Sequence, residues 1–447
     1  MWSIWAVLRV KKMPENVPEN KNNSLLKSLS ISTINQFVTS GSNFILGLFL
    51  IRILSVSEFG LYGILQASAF VLAGLGNVVF LGQMVVNFPD QKKSEQHNYV
   101  SSIFHLIIVL SLSVIFITAV IFIILEYFFN MGLTIWFELC AVIIFSIGYL
   151  SKEFFCRLSY THRKEIRALR INIIISITMT IMIIVLALSH IVITAPLVII
   201  CYGICTFIGV LLGLFETRLQ MKPDSNRMIK SLKQVWVAGR WALYSDVLYS
   251  GRQQAHVFIT AIFAGTAGVG MINAAKLFLT PVMLLTPSLS QIYIVRLVAL
   301  RQSEPLKLLK RGVTFSIANA ISVILYSVLL LFIYDYIVAF IIPETFSTHD
   351  IGEFVIAWSF VALFTAVRYG LESTQKAMKK FKLLAFINTP ISLIALASVY
   401  ILLMYFGPVG AIYGLALADF IFTVILASLV CSSAKQLRTS NLSRDEK

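Results

Sequence analysis

The recurrence of long apolar runs constrains this chain more than any other feature. A membrane-spanning helix needs about 20 consecutive, mostly apolar residues. Twelve such stretches run near 29–51, 61–82, 102–125, 132–150, 171–189 and 193–215, then near 239–264, 268–293, 313–334, 351–372, 383–405 and 408–431. The composition agrees, with 58% hydrophobic and 13% charged residues, against about 25% charged in a soluble domain. That excludes an ordinary cytosolic enzyme, a secreted disulfide scaffold and a disordered protein. The predicted fold class is an all-α polytopic membrane protein with about 12 transmembrane helices.

The net charge of +15 would suggest nucleic acid in a soluble protein, so where the cations sit matters. With the first tail cytosolic, the two tails and the inside loops hold 31 of the 36 Lys and Arg residues. Only Arg52, beside Glu58, falls outside. Cytoplasmic loops attract such an excess, so both termini are expected in the cytosol, and no nucleic-acid partner is needed. The apolar segment 1–10 precedes Lys11 and Lys12, the reverse of a signal peptide. The expected organisation is a cytosolic tail (1–28), a first six-helix bundle (29–215), a basic cytosolic linker (216–238), a second bundle (239–431) and a cytosolic tail (432–447).

The two halves carry traces of a repeat. Ser40-Gly41 and Gly60 recur as Ser250-Gly251 and Gly270 at one offset of 210 residues. Polar positions Ser32, Asn35/Gln36, Thr39 and Ser42/Asn43 recur at helical spacing, and the same offset gives Ala242, Ser245/Asp246, Tyr249 and Arg252/Gln253. Parallel repeats of this kind place a substrate site at their interface in many secondary transporters, so a central cavity is expected.

Ionisable groups in hydrocarbon are costly and normally face water or a partner. Arg252 lies near the middle of span seven with Gln253, and His256 follows four residues later on the same face. Lys276 lies about 12 Å into span eight at 1.5 Å per residue. Pro281 and Pro287 follow it and interrupt the helical ladder. The candidate cavity residues are Arg252, Lys276, Asn43, Gln253, Asp246 and His256, and the candidate coupling acids are Asp246 and Asp419. For Arg252 the alternative is a structural ion pair with Asp246; for His256 it is simple packing. Arg240 sits where a snorkelling cation would, and Arg368 with Glu372 (i, i+4) has the spacing of a structural pair. The five cysteines form no Cys-x-x-Cys pair, so neither disulfide nor metal chemistry is expected. No phosphate-binding loop, zinc-protease motif or nucleophile elbow occurs. No cofactor and no enzymatic activity are expected.

The segment ISTINQFVTSGSNFILGLFLIRILSVSEFGLYGI (31–64) is rich in Gln, Asn and Ser and ends in Glu-Phe-Gly-Leu-Tyr. It resembles the polysaccharide transporter (Wzx-type flippase) family, in the superfamily that also holds the multidrug and toxin extruders. The resemblance implies two bundles around a central cavity, alternating access, and an undecaprenyl-pyrophosphate-linked oligosaccharide as cargo. It implies a bacterial cytoplasmic-membrane location, a coupling ion (H+ or Na+) and a glycan polymerase as candidate partners, and a cationic cavity role for Arg252 and Lys276. The alternatives are an ion-coupled multidrug exporter and a membrane-embedded polymerase; the short outside loops disfavour the latter.

Overall fold

The computed structural model describes residues 19–129, 133–189, 191–219, 225–341, 343, 346 and 351–445. Most of the expected first tail, part of the linker and most of residues 344–350 lie outside them. All described elements are helical, as the apolar runs predict. They are α1 (Glu19–Ile53), α2 (Val56–Gly76), α3 (Gln83–Asn87), α4 (Lys93–Phe129), α5 (Leu133–Thr161), α6 (Glu165–Leu188) and α7 (Ala195–Thr217). The second half holds α8 (Ser225–Ser303), α9 (Pro305–Phe332), α10 (Tyr334–Ile341), α11 (Ile351–Ala377), α12 (Phe381–Phe406) and α13 (Pro408–Asp445). A π-helical turn, Asn77–Gly82, links α2 to α3.

Eleven described helices are long and apolar enough to cross a membrane. The sequence predicts twelve spans; the difference lies in α8, whose apolar part, Ser250–Ser290, is 41 residues long. A straight helix of that length would reach about 60 Å, twice the hydrocarbon thickness. It is broken at Gly265, where φ is +70° and ψ −174°, a conformation that suits glycine alone. The two predicted spans thus survive as two arms around one glycine. Pro281 and Pro287 lie within the second arm, which stays helical through both.

The chain forms two compact units. Unit 1 takes the chain up to Asn43 and Leu65–Ser250, and unit 2 takes Phe44–Ile64 and Gly251–Lys447. In unit 1, α5 packs on α7, and α6 on both. Its core is aromatic: Phe145 lies 5.5 Å from Phe70 and 4.7 Å from Tyr202 between ring centroids, and Phe154 and Phe155 meet edge to face. In unit 2, α13 packs on α11 and α12, and α9 on α11. Leu297, Leu308, Leu371, Phe422 and Leu426 form its buried cluster. Bulky apolar side chains such as Leu188, Phe332 and Tyr405 are about four-fifths exposed. In water such surface would be a liability; in a bilayer it is the lipid-facing wall.

Two sets of contacts bear the mark of the repeat. Within unit 2, a methyl group built on Gly60 would fall on the Thr266 carbonyl oxygen, and one built on Gly270 would fall on the Val56 carbonyl oxygen. Both pairs are related by the 210-residue offset, so the contact is reciprocal, as across a two-fold axis. The second set is a pair of turns. Arg163, between α5 and α6, and Lys379, between α11 and α12, both sit in the left-handed region (φ 57° and 63°). In each turn the following lysine donates five residues back, Lys164 N to Ser159 O (2.8 Å) and Lys380 N to Gln375 O (3.0 Å). This is the Schellman closure of a helix, with a basic residue where glycine is usual.

Candidate functional site

Helix α8 positions the central residues. Arg252, His256 and Thr260 follow at intervals of four, which puts them on one helical face, and they are 4%, 1% and 0% exposed. Opposite them, α13 carries Asp419 and Phe422, and α11 carries Trp358, Thr365, Arg368 and Glu372. All of these belong to unit 2.

Asp419 is the hub. Its Oδ2 accepts a hydrogen bond from the Thr365 hydroxyl at 2.7 Å. Its Oδ1 lies 3.5 Å from Arg368 Nε and 3.9 Å from Arg252 Nη1. Both guanidinium carbons also lie 5.5 Å from the centre of the Phe422 ring, within cation–π range. Arg368 reaches Glu372 at 3.0 Å, and Glu372 reaches Lys376 at 2.7 Å. Two nearly buried guanidiniums therefore share one carboxylate at distances longer than the 2.7–2.9 Å of a strong charge-assisted bond.

A second cluster surrounds Trp358. Its indole N–H donates to the Ile272 carbonyl at 2.9 Å, tying α11 to the second arm of α8. Lys276 Nζ lies 5.1 Å from the centre of the ring, and His256 meets it edge-on at 5.4 Å. Neither ring nitrogen of His256, nor the Thr260 hydroxyl, has a hydrogen-bond partner among the described residues. Buried polar groups are rarely left so.

The sequence-predicted residues divide as follows. The structure brings Arg252 and Asp419 together, and joins Arg368 to Glu372 as the spacing suggests. It draws His256 and Lys276 to Trp358. Gln253 is exposed. The side chain of Asp246 lies outside the described residues, so Asp419 is the described ion-pair partner of Arg252. Asn43 belongs to unit 1, where its Oδ1 accepts from the Tyr202 hydroxyl at 2.6 Å. Around it runs a neutral network. Asn172 donates to Asn35 at 2.8 Å, Asn35 to Tyr160 at 2.7 Å, and Ser42 to Ser176 at 2.7 Å.

Sequence reasoning missed three residues here. Trp358 and Phe422 read as ordinary apolar positions in spans. Lys152, expected in an inside loop, is instead within α5 and 5% exposed. It pairs with the adjacent Glu153 at 2.6 Å and lies 4.5 Å from the centre of the Tyr149 ring. A neighbouring opposite charge and an aromatic face make that depth tolerable.

No family model matches the chain, and no curated protein does. Solved structures do. The lipid II flippase MurJ in an inward closed conformation superposes with a TM-score of 0.70 at 15% identity, covering 91% of this chain and 87% of that one. An inward-facing multidrug resistance MATE family transporter of the MOP superfamily gives 0.64 at 11% identity, covering 90% and 96%. The fold is the one these transporters share. A MOP superfamily transporter from Pyrococcus furiosus, described by a reverse polarity of its binding pocket, gives 0.55 at 12% identity, covering 92% and 96%.

Proposed function

We propose that this protein is a flippase that moves undecaprenyl-pyrophosphate-linked oligosaccharide across the bacterial cytoplasmic membrane for surface polysaccharide assembly, by alternating access. The observation that carries this reading is the charge on the face of α8 and its partners. Arg252, Arg368 and Lys376 gather around Asp419 and Glu372, and Lys276 lies against the Trp358 ring, so four cations are concentrated on buried faces of one unit. A diphosphate entering a low-dielectric region needs cations, and guanidinium forks suit phosphate oxygens. Likeness in fold to a protein named as a lipid II flippase supports the same class of cargo.

In this reading the diphosphate competes with Asp419 for Arg252, while Lys276 supplies a second positive charge. Polar residues such as Asn43 and Gln253 solvate the sugars, and the lipid tail stays in the bilayer. Asp419, and Asp246 if it faces the same aqueous path, are the coupling acids for H+ or Na+. The bundles are 29–215 and 239–431, joined by the cytosolic linker 216–238, with both termini cytosolic. A glycan polymerase is the downstream partner.

The second reading is an ion-coupled multidrug exporter, favoured by the likeness in fold to MATE transporters. A cationic drug would be drawn to carboxylates, and here Asp419 is already shared by two arginines.

The test is surface-glycan export normalised to the amount of inserted protein. Arg252→Ala and Lys276→Ala are expected to reduce export at least about tenfold, with Arg252→Lys retaining part of it. Normal export by well-inserted Ala variants would overturn the cationic mechanism. Drug resistance conferred by the wild type and lost in Asp419→Asn would favour the exporter.

A further inference from the structure

A second basic site lies in unit 1. A cavity of about 680 Å³ opens where α4 begins, α5 ends and α7 ends. Among its lining residues are His97, His162, Lys164, Arg167, Glu216 and Arg218. Its one lining carboxylate is already engaged: Glu216 lies 2.8 Å from Arg170 and 3.8 Å from Arg167. Lys164 and Arg218 form no ion pair among the described residues, so the cavity carries a surplus of positive charge.

The backbone points the same way. Arg218 caps α7 in the left-handed region (φ 48°, ψ 43°), its N–H bonded to the Leu214 carbonyl at 3.0 Å. Arg163, between the lining residues His162 and Lys164, is left-handed as well (φ 57°). Glycine adopts that conformation without steric cost. An arginine there bears a steric cost that glycine would not. His162 donates from Nδ1 to the Leu158 carbonyl (2.9 Å), which fixes its ring in the wall of the cavity.

We infer that this cavity binds a phosphate group, held by Lys164, Arg167 and Arg218, and that the phosphate belongs to an anionic phospholipid headgroup. The lipid source is favoured by position. The cavity sits at the ends of apolar membrane helices, and the lining residue Phe215 is 80% exposed, an apolar surface beside the cations. Basic pockets between helices at a membrane face recognise anionic headgroups in this way.

The experiment uses the full-length protein in neutral detergent. Thermal unfolding is followed while dioleoylphosphatidic acid, dioleoylphosphatidylcholine or sodium pyrophosphate is titrated in. The wild type is expected to be stabilised by phosphatidic acid and not by phosphatidylcholine. Lys164→Gln/Arg218→Gly removes two charges and places glycine where the backbone favours it, so the fold should hold; the apparent affinity for phosphatidic acid should fall about tenfold. Lys164→Gln alone, at an exposed side chain, is the fallback variant and should lose part of the response. Stabilisation by pyrophosphate that the double variant also loses would support the phosphate site and assign it to a soluble ligand. No response to either anion, an equal response to phosphatidylcholine, or an undiminished response in both variants would overturn the proposal.

Discussion

The polar stripe of α1 and that of α8 occupy the same phase of the repeat, yet they solve different problems. Ser42 and Asn43 in unit 1 correspond, at the 210-residue offset, to Arg252 and Gln253 in unit 2. The unit 1 stripe is neutral and bonded at 2.6–2.8 Å, through Asn172–Asn35, Asn35–Tyr160, Ser42–Ser176 and Tyr202–Asn43. Its unit 2 counterpart is charged, with Asp419 held at 3.5 and 3.9 Å by two arginines. A network of short neutral bonds holds its members in place. A carboxylate spread between two guanidiniums at such distances is held more loosely than in a short charge-assisted bond. The two stripes thus share one phase of the polar face, one neutral and hydrogen-bonded, the other charged.

Substitutions can break or sharpen this contrast. Asp419→Ala should have the largest effect, since it leaves Arg252 and Arg368, 4% and 3% exposed, without their shared carboxylate. Losing one partner of a buried pair costs about 3–5 kcal/mol, measurable by equilibrium unfolding in detergent. Asn172→Ala in the neutral network should cost less, about 1–3 kcal/mol, for the unanswered Asn35 carbonyl. Equal losses at the two positions would erase the distinction between the stripes. Smallest should be the double change Lys152→Met/Glu153→Gln, because replacing a whole ion pair is often close to neutral. A loss as large as that of Asp419→Ala would show that the Lys152 pair, too, is a charged centre of unit 1.

Much of the fold is legible in the sequence because its determinants are local. Apolar runs announce the helices, and Gly60 and Gly270 announce the repeat. The Gly265 break is also a local signal, one glycine between two apolar runs. What the sequence does not show are relations between helices. Nothing in the periodicity of α11 or α13 says that Arg368 and Asp419 meet, or that Trp358 lies against both His256 and Lys276. Lys152 reads as loop because its own apolar window ends at Leu150, and only the packing of α5 reveals it as buried. Likewise, the grouping of 44–64 with unit 2 rather than with the rest of α1 and α2 depends on contacts that no linear pattern encodes.

The reciprocal approach of Gly60 and Gly270 to each other's backbone has a mechanical consequence. Beyond the Ser57–Thr266 hydroxyl bond (2.8 Å), surfaces without side chains attract mainly by dispersion. A gap of about 0.5–1 Å forfeits a quarter to a half of that attraction, whereas a charge pair weakens only gradually with distance. Such a contact is a latch rather than a spring: firm when shut, almost without pull once parted. It sets no preferred partly open position, so any motion that separates the 56–60 and 266–270 segments should be abrupt.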